Sequence, residues 1–93
     1  MLLSKIKVVG YSMQPALRHN QIVIASTIPF IFQKPKVGDI VILQQDQCII
    51  KRIAEVRENM IFIVGDNKKE STDSRNFGWI SRGQILGKVI LKI

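Results

Sequence analysis

A serine and a lysine that lie far apart in the chain could together carry out acyl transfer. Ser12 falls in a turn-like segment, residues 10–15, and Lys51 falls in the apolar run 48–54. A serine hydroxyl is a weak nucleophile until a base removes its proton, and a neutral lysine amine can be that base. Burial in a low-dielectric interior can lower the pKa of a lysine by up to ~3–5, which frees the amine to accept a proton. The two residues therefore predict a Ser-Lys hydrolytic site.

The surroundings of Lys51 favour such a role. Alternation along a strand places Ile49, Lys51 and Ile53 on one face, and Ile50, Arg52 and Ala54 on the other. Neither Lys51 nor Arg52 then lies on a wholly polar face, so one of them must be paired or functional. Arg52 cannot be the base because a guanidinium does not deprotonate in proteins. A buried lysine with a structural partner remains the alternative, just as Ser12 alone could be an ordinary turn residue.

A polar segment, residues 65–78, is the third candidate for chemistry. It holds hydroxyl and charged side chains between two glycines, and it is long for a plain loop in so short a chain. A charged hairpin loop is one interpretation. The other is a loop that closes over a site, in which Asp73 and Arg75 pair to stiffen the backbone and hydroxyls face a neighbouring amine.

The elements that must position these residues are mostly strands. Runs of β-branched residues bounded by turn signals predict strands at 5–9, 21–26, 39–43, 48–56, 60–64 and 85–93. Almost nothing recurs at helical spacing. The 93 residues allow one domain, 1–93, and short strands at this density predict a small barrel or sandwich of bent sheets.

Composition excludes several other functions. Fourteen basic against seven acidic residues give a net charge of +7, which suits acidic partners. The basic residues are scattered, however, and the aromatic residues do not interleave with them, so nucleic-acid binding is not expected. Cys48 is the only cysteine, and its apolar strand predicts a small core residue. A catalytic pair of Cys48 with His19, which falls in a polar loop, is disfavoured.

No stretch reaches the ~18–20 apolar residues of a membrane span, so the chain as given is expected to be soluble or peripheral. The apolar segment 22–32 predicts a core strand and a turn, with Pro29 interrupting any regular element. An alternative is that part of it rests on an anionic membrane surface, assisted by Lys34 and Lys36. The residues that would make this contact are Ile28, Phe30, Ile31 and Phe32.

Several ordered segments together resemble one family. They are residues 8–17, 35–41, 50–53, 65–67 with 71–78, and 85–89. The chain resembles the type I signal peptidases, the serine-lysine proteases that remove export signals. This resemblance implies the signal peptidase catalytic fold, with Ser12 as the acylating nucleophile and Lys51 as the general base. It also implies that Ser71 orients the lysine amine and that Asp73 and Arg75 hold the framework of the site.

Other implications of the resemblance concern the oxyanion and the substrate. Gly10 and Met13 flank the nucleophile as supporting residues, and the N–H of Ser12 would donate to the oxyanion. Many family members carry a hydroxyl side chain where this chain has Gly10. The substrate would be an extended leader or signal peptide cut after small residues, with no metal or organic cofactor.

The chain also departs from larger members of that family. No N-terminal membrane helix is evident in these residues, so we expect either a compact member or an anchor that lies outside this sequence, with a membrane-associated or cytoplasmic location. The residues between Lys51 and Gly65 leave no room for a second β domain. Its compact length also resembles the maturation proteases that trim the leader of nickel-containing superoxide dismutase. A non-catalytic basic β domain and a self-cleaving repressor-type domain are the remaining alternatives, and the latter lacks an evident cleavage segment before Ser12.

Overall fold

One curled antiparallel sheet of seven strands forms most of the structure. The computed structural model describes residues 2–93. The strands are β1 (Ser4–Lys7), β2 (Ile22–Ser26), β3 (Ile40–Gln44), β4 (Cys48–Arg57), β5 (Met60–Val64), β6 (Ile80–Ser81) and β7 (Ile85–Lys92). They lie in the order β1-β2-β7-β3-β4-β5-β6. The mostly β, bent-sheet fold predicted from the sequence is confirmed.

Short helical turns occupy the connections. Two one-turn α-helices are present, α1 (Pro29–Phe32) and α2 (Ser74–Phe77), together with 3₁₀ turns at Lys68–Glu70 and Arg82–Gln84. Each of the six predicted strands is present, and no end shifts by more than two residues. The sequence analysis missed β6, because two residues are too few to show a period of two.

Alternation along the strands builds two apolar clusters. The larger lies between β3, β4, β5 and β6 and contains Val41, Leu43, Ile53, Ile61, Ile63 and Ile80. The smaller contains Val8, Met13, Leu17 and Val23. Met13 and Leu17 are each only 1% exposed, so the segment that follows Ser12 is anchored in this second cluster.

β4 carries Lys51 at a point where its pairing changes. The strand pairs with β3 along residues 48–52, and its pairing with β5 begins at Arg52 opposite Val64. β1 lies at the other end of the sheet order and pairs with β2. The curl of the sheet brings β1 near the first residues of β4, and a groove lies between them.

Two expectations need correction or refinement. Cys48 is exposed at the start of β4 beside the tight β3–β4 turn, so the prediction of a core cysteine is wrong. The apolar segment 22–32 forms β2 and then α1, which starts at Pro29 because proline fits the first helical turn. Phe30 packs against the larger cluster, whereas Phe32 is 81% exposed. Within residues 2–93, neither helix has the length or the apolar character needed to cross a bilayer.

Candidate active site

The two residues singled out first from the sequence are in direct contact. Lys51 Nζ donates a hydrogen bond to Ser12 Oγ at 2.9 Å, although 39 positions separate them in the chain. Lys51 is 5% exposed and lies opposite Val41 in the sheet. Because a neutral amine has a lone pair, the same short contact would allow the hydroxyl proton of Ser12 to pass to Nζ.

Burial sets the protonation of Lys51. Desolvation lowers the pKa of its amine from the ordinary value of 10.5, and this effect outweighs the attraction of the Asp73 carboxylate, which raises it. The positive charge of Arg75 lowers the pKa further. At a given pH, a larger fraction of Lys51 is therefore neutral than of a solvated lysine, as a general base requires.

The loop that carries Ser12 is held from the side of the polar segment 65–78. Asn67 donates its backbone N–H to Ser12 O at 2.8 Å and its side-chain amide to Tyr11 O at 3.1 Å. Gly10, two residues before Ser12, has a φ of 91°, a conformation that glycine adopts without strain. Gly10 has no side chain, so it adds no hydroxyl to the site.

Asp73 is the centre of a hydrogen-bond network beneath the site. Its carboxylate is fully buried and accepts from Gly65 N at 2.8 Å, from Ser71 Oγ at 2.6 Å, and from Arg75 Nη2 at 2.6 Å. Burial would raise the pKa of this carboxyl, but the hydrogen bonds from Arg75, Ser71 and the backbone together hold it well below its usual range. The predicted pairing of Asp73 with Arg75 is therefore present.

Asp73 also begins α2. Its side chain accepts from Arg75 N at 3.0 Å, while Asn76 Oδ1 accepts from Asp73 N at 3.1 Å, which forms a capping box. Ser74 is the first residue of α2, and its Oγ accepts from Ile63 N of β5 at 2.9 Å. The loop is thus fixed to the sheet at both Gly65 and Ile63.

Ser71 is also part of this network. Its hydroxyl donates its single proton to Asp73 Oδ2. Because the only proton of this hydroxyl is used in the hydrogen bond to Asp73, Ser71 Oγ can only accept a hydrogen bond from an amine. Any contact of Ser71 with Lys51 would therefore have the amine as the donor.

Gly65 is a site residue that the sequence analysis did not single out. A Cβ atom at this position would lie 2.6 Å from Ser12 O and would also overlap the side chain of Ser71. Only glycine lets these three segments meet so closely. A glycine before an aspartate is a common turn signal, so the sequence does not reveal this steric requirement.

Arg52, the neighbour of Lys51, is paired on the opposite face. Its Nε and Nη2 donate to the two carboxylate oxygens of Asp66, each at 2.9 Å, and its Nη1 donates to Gly38 O at 2.9 Å. Of these two adjacent basic residues, Arg52 thus has a carboxylate partner while Lys51 contacts a serine hydroxyl.

A groove of about 450 Å³ opens at Ser12 and Lys51. β1 lines one wall, and the first residues of β4, including Cys48, line the other. Met13 and Leu86 contribute apolar surface. Among residues 2–93, no group of histidine, cysteine and acidic side chains is arranged to hold a metal ion.

Comparison with known proteins shows the family to which this chain belongs. The chain matches the signal peptidase family, peptidase S26, over residues 1–55 and 47–93, and it belongs to that family. It is 30% identical to mitochondrial inner membrane protease subunit 1 of Mus musculus, with 90% of this chain and 65% of the relative covered. It is also 30% identical to mitochondrial ATP-independent inner membrane protease subunit 1b of Arabidopsis thaliana, with 90% and 66% covered. The chain thus spans about two thirds of the length of these relatives.

Proposed function

We propose that this protein is a serine endopeptidase that cleaves leader or signal peptides with a Ser12-Lys51 dyad. The observation that carries the proposal is the 2.9 Å contact between Ser12 Oγ and the Nζ of a buried lysine whose pKa is lowered. Membership of the signal peptidase family supports the reaction class.

The proposed reaction has two halves. Lys51 Nζ takes the proton of Ser12 as Oγ attacks the scissile carbonyl, and the N–H of Ser12 stabilises the oxyanion that forms. The lysine then gives its proton to the leaving amine, which leaves an acyl-serine. Lys51 next removes a proton from a water molecule that attacks the ester. The bond between the acyl carbon and Ser12 Oγ then breaks, Lys51 returns the proton to Oγ, and the new carboxyl end of the cleaved peptide leaves. Asp73 and Arg75 hold the segment 65–78 in place. Ser71 Oγ accepts a hydrogen bond from the Lys51 amine, which keeps the lone pair of Nζ directed at Ser12.

The groove suits a peptide in extended conformation. β1 is the edge strand of the sheet, and residues 48–51 of β4 precede the pairing with β5, so backbone groups on both walls can pair with a substrate strand. The resemblance to signal peptidases adds a preference for small residues just before the cut. Leader peptides of other precursors, including those of nickel-type superoxide dismutases, are a second substrate class that the same chemistry would serve.

The membrane surface is the proposed place of action. Ile31 and Phe32 of α1 are 69% and 81% exposed, and Lys34 and Lys36 follow them in the chain. Exposed apolar residues beside lysines favour an anionic bilayer. Liposome co-sedimentation tests this: binding should need anionic lipid, weaken with salt and fall in an Ile31→Ser, Phe32→Ser variant. A wild-type protein that stays in the supernatant at low salt would refute the membrane contact and leave the peptidase proposal untouched.

Cleavage of candidate leader peptides tests the peptidase itself. We expect wild-type protein to cut after small residues, as mapped by mass spectrometry, while Ser12→Ala and Lys51→Ala each lose turnover and keep their fold. The double variant should be little worse than either single one, because residues that act as a unit are not additive. A non-catalytic binding domain would instead behave identically with and without the Ser12 hydroxyl.

A further inference from the structure

The pairing of β1 with β2 continues beyond the strands toward the candidate nucleophile. Val8 N donates to Gln21 O and Asn20 N donates to Val8 O, both at 2.8 Å. The next donor along the chain on this side is Gly10 N, and it donates to His19 Nδ1 at 2.8 Å. The imidazole of His19 therefore takes the place of a backbone carbonyl as the next acceptor in the hydrogen-bond pattern between these two segments.

The position of this imidazole is well defined. His19 lies in a turn in which Gln21 N donates to Arg18 O at 3.1 Å and Arg18 N donates to Gln21 Oε1 at 2.9 Å. The ring packs against the ring of Tyr11, with centroids 5.2 Å apart. Because Nδ1 accepts a hydrogen bond, the ring proton of the neutral imidazole is on Nε2.

The segment from Gly10 to Ser12 needs such a restraint. Glycine has the most backbone freedom of any residue, and Gly10 has a φ of 91°. The proposed oxyanion donor, Ser12 N–H, follows two residues later, and Gly10 has no side chain to add a second donor. Asn67 holds the carbonyls of Tyr11 and Ser12 from one side. The His19 contact holds the amide of Gly10 from the other.

We propose that His19 is a positioning residue, which accepts from Gly10 N–H and so fixes the backbone that presents the Ser12 N–H and hydroxyl to the substrate. This inference rests on the proposed peptidase function. His19 touches neither the substrate groove nor Lys51, so its effect is on the orientation of the nucleophile loop.

Three substitutions of His19 distinguish the effect of losing the acceptor atom from the effect of losing the ring. In His19→Asn, the amide oxygen can occupy nearly the place of Nδ1, whereas in His19→Gln the oxygen lies one bond farther from the backbone and in His19→Leu no acceptor remains. We expect kcat to be about tenfold lower in the Gln and Leu variants. This reduction is smaller than the ~10²–10³-fold loss of kcat that follows when an oxyanion donor is removed completely. KM should stay near the wild-type value because the groove is unchanged. The Asn variant should retain most of kcat.

Hydrogen exchange of the Gly10 amide, followed by NMR without substrate, provides a readout that does not depend on activity. Protection should persist in wild type and His19→Asn and be lost in His19→Gln and His19→Leu, while the thermal midpoints of all four remain similar. The proposal is overturned if His19→Asn loses as much kcat as His19→Leu, or if kcat is unchanged although Gly10 protection is lost. Failure of the peptidase function itself would be recognised separately, because wild-type cleavage would then not depend on the Ser12 hydroxyl.

Discussion

Replacing Lys51 with methionine should stabilise the protein while it removes activity. Lys51 is 5% exposed, and methionine has a similar length without a charge to desolvate. Replacing a whole buried ion pair by apolar residues often gains ~1–4 kcal/mol, and Lys51→Met removes the desolvation cost of one buried charge. The variant loses the hydrogen bond to Ser12, worth ~0.5–1.5 kcal/mol. We therefore expect a net gain of about 1 kcal/mol, or roughly 4–8 °C in Tm for a chain of this size.

The stability gained by Lys51→Met should decrease as the pH rises. Because burial lowers the pKa of Lys51 below 10.5, the unfolded chain binds this proton more tightly than the folded protein does. The stability of the wild type therefore rises with pH between the lowered pKa and 10.5, and is least below that window. The Lys51→Met protein has no such group. Its advantage over the wild type should be largest at neutral pH and below, and should shrink as pH rises through the window.

Urea unfolding at a series of pH values measures this difference. Arg52→Met is the matched control, because it removes the neighbouring cation of the same strand, which is bonded to both carboxylate oxygens of Asp66. That change should destabilise by ~1–3 kcal/mol, the cost of leaving a partner of a charged hydrogen bond unsatisfied. The reasoning is refuted if Lys51→Met is the less stable protein at neutral pH, or if its difference from wild type does not vary with pH.

Three further predictions concern the same site. The rate of cleavage, as kcat/KM, should rise with pH through the lowered pKa of Lys51 and then level off, and a rate still climbing at about pH 10 would indicate a solvated lysine. Gly65→Ala should displace the Ser12 carbonyl or Ser71, cost ~1–3 kcal/mol and abolish most activity; full activity with unchanged stability would contradict the close approach seen here. Asp73→Asn should cost ~1.5–3 kcal/mol at neutral pH, as measured by urea unfolding, because it removes the charge of a buried carboxylate that accepts hydrogen bonds from the partly exposed Arg75 and from Ser71. Because the pKa of Asp73 is depressed, the stability that its charge provides is fully present above the ordinary carboxyl pKa of 3.8 and is lost as the pH falls below it. The free energy of unfolding of Asp73→Asn should therefore fall less steeply in acid than that of the exposed control Asp46→Asn.

Much of the site could be predicted from residue types alone. Ser12 after a strand and glycine, Lys51 in an apolar strand, and Asp73 with Arg75 in a polar loop each indicate chemistry through local composition. What the sequence could not predict are contacts that depend on three-dimensional approach. Gly65 is such a case, because its importance comes from the space between Ser12 and Ser71 and not from its neighbours in the chain.

His19 and Cys48 also show that local sequence does not reveal tertiary contacts or burial. The sequence places His19 in a polar loop, and in the structure its Nδ1 accepts from the backbone N–H of Gly10, nine positions away. Cys48 has apolar neighbours that predict burial, yet it lies at the exposed start of β4. Burial depends on where a strand begins and what covers it, and the local pattern carries neither piece of information.

The sequence by itself determined the mostly β fold, six of the seven strands to within two residues at each end, and the chemical types of the candidate site, because period, turn residues and side-chain functional groups are local properties. Only the tertiary structure decided that Lys51 Nζ lies 2.9 Å from Ser12 Oγ and that the Ser71 hydroxyl donates to Asp73. These contacts depend on the register of β3 with β4, on the irregular pairing after Ile53, and on the curl of the sheet that brings β1 near β4. Such features arise from the packing of distant segments, since the free energy that selects them is shared among many contacts and is not encoded in any one stretch of the chain.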